Sequence, residues 1–176
     1  YQVLLIMLLL MFLQPLAEMY ASGRLFFSIM MSVIILFGMT CIHSNTKHRN
    51  FTLFLAIVTI AARWLEHTYL EHRFAVIFCN IILAVFITIT SLFSLDHILK
   101  TKTVTRETLA AAISVYIMMG MVFAIIFFII DIIHPNSFLL PPGCVPALEA
   151  HDARTYFYIS FVTLTTVGFG DSVPIS

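Results

Sequence analysis

The stretch YISFVTLTTVGFGDSVPIS (residues 158–176) decides how this chain is read. Its centre, Thr-Thr-Val-Gly-Phe-Gly-Asp (165–171), is a polar loop with two glycines. The chain around it is 61% hydrophobic and only 10% charged, with a mean hydropathy of +1.03. Soluble domains keep about a quarter of their residues charged, so a bilayer is the solvent this composition fits. The segment leading into the loop, ARTYFYISFVTLT, is apolar and aromatic. It is far shorter than the roughly 20 residues that span hydrocarbon. It reads as a buried or re-entrant half-helix, with Asp152 placed as its N-cap. Irregular backbone at membrane depth is tolerated only where it is buried in protein or lines a water-filled path. A half-helix followed by a glycine loop meets that condition when the loop faces a pore.

Five apolar runs precede this segment, at residues 3–19, 25–42, 51–65, 74–95 and 108–133. Pro15 kinks or ends the first, and Arg63 interrupts the third. The first run lacks the basic flank and small-residue cleavage site of a signal peptide, and is expected to be the remainder of a spanning helix. The breaks EMYASGR, HSNTKHRN, EHTYLEHR and DHILKTKTVTRE are short and polar, which predicts antiparallel neighbours. With the N-terminus in the cytoplasm, Lys47, Arg49, Lys100, Lys102 and Arg106 face inward, and Arg24, Arg73 and Arg154 face outward. The excess of basic residues on the inner side favours that orientation. It puts the proline-rich stretch HPNSFLLPPGCVPALEAHD and the glycine loop outside. The expected fold is an all-α membrane protein of five transmembrane helices followed by a re-entrant helix and loop. Residues 1–107 would form a four-helix peripheral membrane domain with its linker, and residues 108–176 a second domain around the loop.

The residues TTVGFGD (165–171) resemble the selectivity filter of potassium channels, in the GFG variant of the usual GYG. YFYISFVTL resembles that family's pore helix, and SVPIS the link into its inner helix. The resemblance is close over residues 152–176; the fifth run corresponds by position, and the first four runs only in number. It implies a single-pore, six-helix subunit whose inner helix is missing from this chain, an expectation of a longer protein. It also implies a homotetramer with K+ as the permeant ion and no organic cofactor. A potassium ion leaving its water shell needs an equivalent set of oxygens, which stacked backbone carbonyls from four chains provide. By resemblance, Thr166, Val167, Gly168 and Phe169 offer carbonyl rings, and the Thr166 hydroxyl adds the innermost ring. Gly168 and Gly170 supply backbone angles that a Cβ disfavours. Val167 and Phe169 would pack against the pore helix, Thr165 would support the filter, and Asp171 would stand at its outer mouth. Two departures stand out. Val162 occupies the position of a carboxylate that pairs with the filter aspartate in some relatives, and Tyr158 and Ile159 replace a tryptophan pair. Phe169 also lacks the hydroxyl that ties a GYG filter to its pore helix.

The fourth run contains no charged residue. It therefore lacks the arginine ladder through which voltage does work on a sensor helix. Glu18 and Asp131, at the outer ends of the first and fifth runs, read as interfacial, and Arg63 and Glu66 are spaced to pair on one helical face. His67 and His72 with Glu66 and Glu71 read as solvated loop residues, with external pH sensing or metal binding as the sharper alternative; His134 and His151 are similarly placed. Cys41 and Cys79 lie in apolar runs as small packed residues, and Cys144 lies in a polar loop. The lysines of DHILKTKTVTRE fit lipid head groups. Zero formal net charge without a basic cluster argues against nucleic acid, and no nucleophile–base set argues for an enzyme. The expectation is a pore-forming potassium channel subunit in the cell membrane, with a cytoplasmic regulatory domain or ligand implied by resemblance alone. A potassium uptake subunit and a non-conducting modulatory subunit are the alternatives.

Overall fold

The computed structural model describes residues 46–68, 73–101, 103–139 and 154–175. In chain order they form α1 (Thr46–Thr68), α2 (Arg73–Lys100), α3 (Arg106–Ile133), β1 (Phe138–Leu139), α4 (Arg154–Leu164) and β2 (Val173–Pro174). The helices pack as a series: α1 on α2, α2 on α3, and the short α4 on α3. The third, fourth and fifth apolar runs are thus helices, and the half-helix before the glycine loop is α4. The first two runs lie outside the described residues, as do Cys41, Cys144, Glu71, His72, His151 and Asp152.

Two helices among the described residues, α2 and α3, are long and apolar enough to cross a membrane. Each has 28 residues. At 1.5 Å per residue that is about 42 Å, against about 30 Å of hydrocarbon. The apolar part of α1, Asn50–Ala62, is shorter. All three helices run beyond the apolar residues that predict them. The polar breaks shrink accordingly: α2 takes in Asp96 and Lys100, which bond at 2.6 Å, and leaves only residues 101–105 before α3. Likewise α1 runs on to Thr68, so Glu66 and His67 belong to its last turn and not to a loop. Hydrophobicity marks the apolar middle of a helix; backbone hydrogen bonding carries it several residues further.

The start of α3 has a local cause. Thr105 is extended (φ −108°, ψ 167°), and its hydroxyl accepts from the N–H of Thr108 at 3.2 Å, which satisfies an orphan donor of the first turn. Glu107 lies in that turn, where the helix dipole favours an anion. Along α3, Ala110, Ser114, Met118, Met121, Ile125, Phe128 and Ile132 recur every three or four residues and are buried. The other face exposes Ile113, Tyr116, Phe123, Ile126 and Ile130. A helix with large apolar residues on both faces has no side made for water.

Four buried polar side chains are satisfied by the backbone of their own helix. Thr59, Asn80, Thr90 and Ser114 donate to the carbonyls of Leu55, Val76, Phe86 and Ala110, at 2.7, 2.8, 2.8 and 2.9 Å. Each bond reaches back four residues, the pattern that lets a hydroxyl or amide sit in an apolar layer. Cys79 is buried, as its apolar surroundings predict, and its Sγ lies 3.2 Å from the carbonyl of Ala62 on α1.

The crossing of α3 and α4 depends on Gly120. A Cβ there would lie 2.6 Å from the tip of the Phe161 ring, and the Ser160 hydroxyl donates to the Gly120 carbonyl at 2.7 Å. Small residues let helix backbones approach in just this way in lipid. Gly120→Ala forces the ring to move, an overpacking of about 1–3 kcal/mol, offset by up to about 1 kcal/mol of helix propensity. The expected result is a lower thermal midpoint in detergent, restored when Phe161→Leu is added. An unchanged midpoint in the single variant would disprove the close crossing.

Candidate functional site

The last turn of α4 and the loop behind it hold the candidate residues. The chain leaves the helix without leaving its hydrogen-bond acceptors. Thr165 N–H donates to Phe161 O at 2.9 Å and Thr166 N–H to Thr163 O at 3.0 Å. The N–H groups of Val167 and Gly168 both reach the carbonyl of Val162, at 3.1 and 3.4 Å. The hydroxyl of Thr165 donates to Phe161 O at 2.6 Å. At the position where some relatives of the resembled family carry a carboxylate, this chain therefore uses a backbone carbonyl to hold the start of the loop.

Beyond that point the backbone alternates in hand. Thr166, Gly168 and Gly170 have φ of 59°, 55° and 77°, while Val167 and Phe169 between them do not have positive φ. Alternation in the sign of φ re-aims successive peptide groups along the loop. The glycine positions follow the expectation from sequence. Thr166 departs from it: a β-branched residue at positive φ is strained, by about 1–2 kcal/mol. Such strain persists where the surroundings over-determine it, and here Thr163 O and Val162 O fix the peptides on either side. Nothing lies within 4 Å of a Cβ built on Gly168 or Gly170. Backbone angle, and not crowding within the chain, is what calls for glycine there.

The side chains of the loop are open within the single chain. Val167 and Phe169 are 54% and 69% exposed and are not packed onto α4. The tether that Phe169 cannot provide comes from elsewhere: the Tyr158 hydroxyl donates to Asp171 Oδ2 at 2.7 Å. Tyr158 and Asp171 were legible separately, one as a remnant of an aromatic pair and the other as a loop carboxylate. Their bond spans 13 residues, and no local pattern announces it. Ile159 instead faces the core, with Tyr156, Phe128, Ile132 and Val76.

Asp131 is the clearest correction. Its place at a helix end suggested the interface, yet it is 1% exposed. Its carboxylate accepts from the Tyr156 hydroxyl at 2.6 Å and from the N–H of Ser137 at 3.1 Å. The proline-rich stretch, expected to be wholly irregular, contributes a strand. Phe138 and Leu139 pair antiparallel with Pro174 and Val173, and Ile175 N–H donates to Ser137 O at 2.7 Å. Two-residue strands are too short for alternation to reveal them. Proline also fits a pair with a free edge. Val173 and Pro174 are therefore extended and tied to the residues after α3.

On the other helices, Arg73 at the start of α2 donates to Ile133 O at 2.7 Å and also to Ile132 O. It thereby covers orphan carbonyls at the end of α3. Among the described residues no three His, Cys, Asp or Glu side chains converge to hold a metal ion. The Arg63–Glu66 pair falls outside the described side chains. No family model, curated protein or solved structure matches this chain.

The Tyr158–Asp171 bond has a titration signature. Donation to Asp171 raises the Tyr158 pKa above its ordinary value, and partial burial and the carboxylate's charge act in the same direction. A raised folded-state value means the bond's contribution is whole below the ordinary tyrosine range near pH 10. It is lost as pH climbs through the raised value. Ultraviolet titration should show a late-ionising tyrosine signal that Asp171→Asn returns toward the ordinary range. If Asp171→Asn leaves the titration unchanged, the bond is not formed in solution.

Proposed function

We propose that this chain is a pore-forming subunit of a potassium-selective channel, with Thr166–Gly170 as its strand of the filter. The observation that carries this reading is the alternating hand of Thr166, Val167, Gly168, Phe169 and Gly170 at the end of a short helix. A strand built this way carries a row of carbonyl oxygens, the ligand set that replaces the water of a hard monovalent cation. The C-terminal end of α4, at Leu164, adds the negative pole of a helix dipole just behind the row. The Thr166 hydroxyl closes the row on the inner side, and Asp171 places a carboxylate at its outer end.

One strand surrounds only part of an axis, so conduction calls for four copies, and the homotetramer is part of the proposal. So is residence in the cell membrane with the loop outside. The large apolar residues exposed on α2 and α3 suit lipid or neighbouring subunits. Conduction is passive and uses no organic cofactor or enzymatic step; the ion moves between successive oxygen rings by mutual repulsion.

The test is flux from liposomes holding the full-length protein, with potassium compared with sodium and with barium as blocker. Potassium-selective, barium-sensitive flux is expected. Gly168→Ala or Gly170→Ala should remove the selectivity and leave assembly intact, because alanine resists positive φ. Wild-type selectivity in both variants would refute the filter. A correctly assembled tetramer that never conducts, even with its gate forced open, would favour the non-conducting modulatory subunit.

A second expectation concerns gating. Residues 74–95 of α2 carry no charge, and one elementary charge gains only about 2.3 kcal/mol per 100 mV. Conductance should therefore change shallowly with voltage, and a curve worth several gating charges would overturn this.

A further inference from the structure

Asp131 stands in an awkward place. It lies in the last turn of α3, at the negative pole of the helix, and it is almost wholly buried. Helix dipole and desolvation both act against a carboxylate there. Its surroundings offset both effects. The Tyr156 hydroxyl and the Ser137 N–H donate to its two oxygens. The Arg73 guanidinium binds the carbonyls of Ile132 and Ile133 and brings a cation to the same pole.

Followed outward, both bonds of the carboxylate lead to the far end of the glycine loop. The first fixes Ser137, whose carbonyl accepts from Ile175 and whose neighbours Phe138 and Leu139 pair with Pro174 and Val173. That pairing begins two residues after Asp171. The second fixes Tyr156, which is fully buried against the Phe128 and Phe138 rings at centroid distances of 5.6 and 6.0 Å. Tyr156 begins the same helix from which Tyr158 reaches Asp171.

We infer that Asp131 is a positioning residue for the filter: one buried carboxylate sets where the outer end of Thr166–Gly170 stands relative to α3. It touches no ion and acts through Ser137 with the β1–β2 pair and through Tyr156 with α4. The inference rests on reading Thr166–Gly170 as a filter. A helix-capping aspartate without this role would stabilise the fold but leave ion discrimination alone.

The experiment compares wild type, Asp131→Asn and Tyr156→Phe in the full-length protein, by liposome flux and by amide hydrogen exchange. Asp131→Asn keeps the shape and removes the charge; Tyr156→Phe removes one of the two routes and spares the other. For Asp131→Asn the expected outcome is a fall of about tenfold or more in the potassium-to-sodium flux ratio, with faster exchange confined to residues 137–139 and 173–175 and to the start of α4. Tyr156→Phe should move both readouts in the same direction and less far. A wild-type flux ratio in Asp131→Asn, or faster exchange spread evenly over α1–α4, would overturn the inference. Absence of potassium-selective flux in the wild type would instead defeat the filter reading. The exchange pattern would then still decide whether Asp131 fixes the 173–175 segment.

Discussion

A backbone that stops being helical has to find new partners for its N–H groups. Everything described around the glycine loop follows from how this chain meets that constraint. Four consecutive N–H groups, from Thr165 to Gly168, turn back onto carbonyls of the last turns of α4. Two of them share Val162 O, which holds the chain at the point where it changes hand.

A loop hung from a short helix is only as well placed as that helix, and α4 is held by α3 at three heights. In the middle, Gly120 gives the close approach that Phe161 and Ser160 use. Near the C-terminal end of α4, the Tyr116 hydroxyl reaches Leu164 O at 3.4 Å. At the N-terminal end of α4, Asp131 receives Tyr156. Arg73 fastens α2 to the C-terminal turn of α3, and the short 101–105 link joins the two helices at their other ends. A pair tied at both ends has little freedom to slide, which accords with an α2 whose apolar stretch carries no charge for a field to move.

The departures from the resembled family make physical sense together. Against the resembled pattern, Phe169 stands in place of tyrosine and Val162 in place of a carboxylate, so two polar tethers are absent. Tyr158 to Asp171 and the β1–β2 pair are present in this chain and fasten the same end of the loop. Ile159, which cannot hydrogen-bond, is buried in the apolar cluster where a polar replacement would find no water.

The sequence by itself determined the runs that become α1 to α3, the half-helix and the glycine loop. Those features are written in composition, in run length and in residue types that local backbone geometry demands. It pointed to the loop residues through Gly168 and Gly170, because positive φ is a local property that glycine announces. It did not announce Thr166, whose left-handed angle is imposed by bonds to the preceding turns. It also misplaced Asp131, since distance from a helix end says nothing about what folds over that end. The bonds of Tyr156 to Asp131 and Tyr158 to Asp171, the Gly120 crossing and the β1–β2 pair were decided by tertiary structure alone. Each joins residues that are far apart in the chain, and only packing determines which polar groups meet once water is excluded.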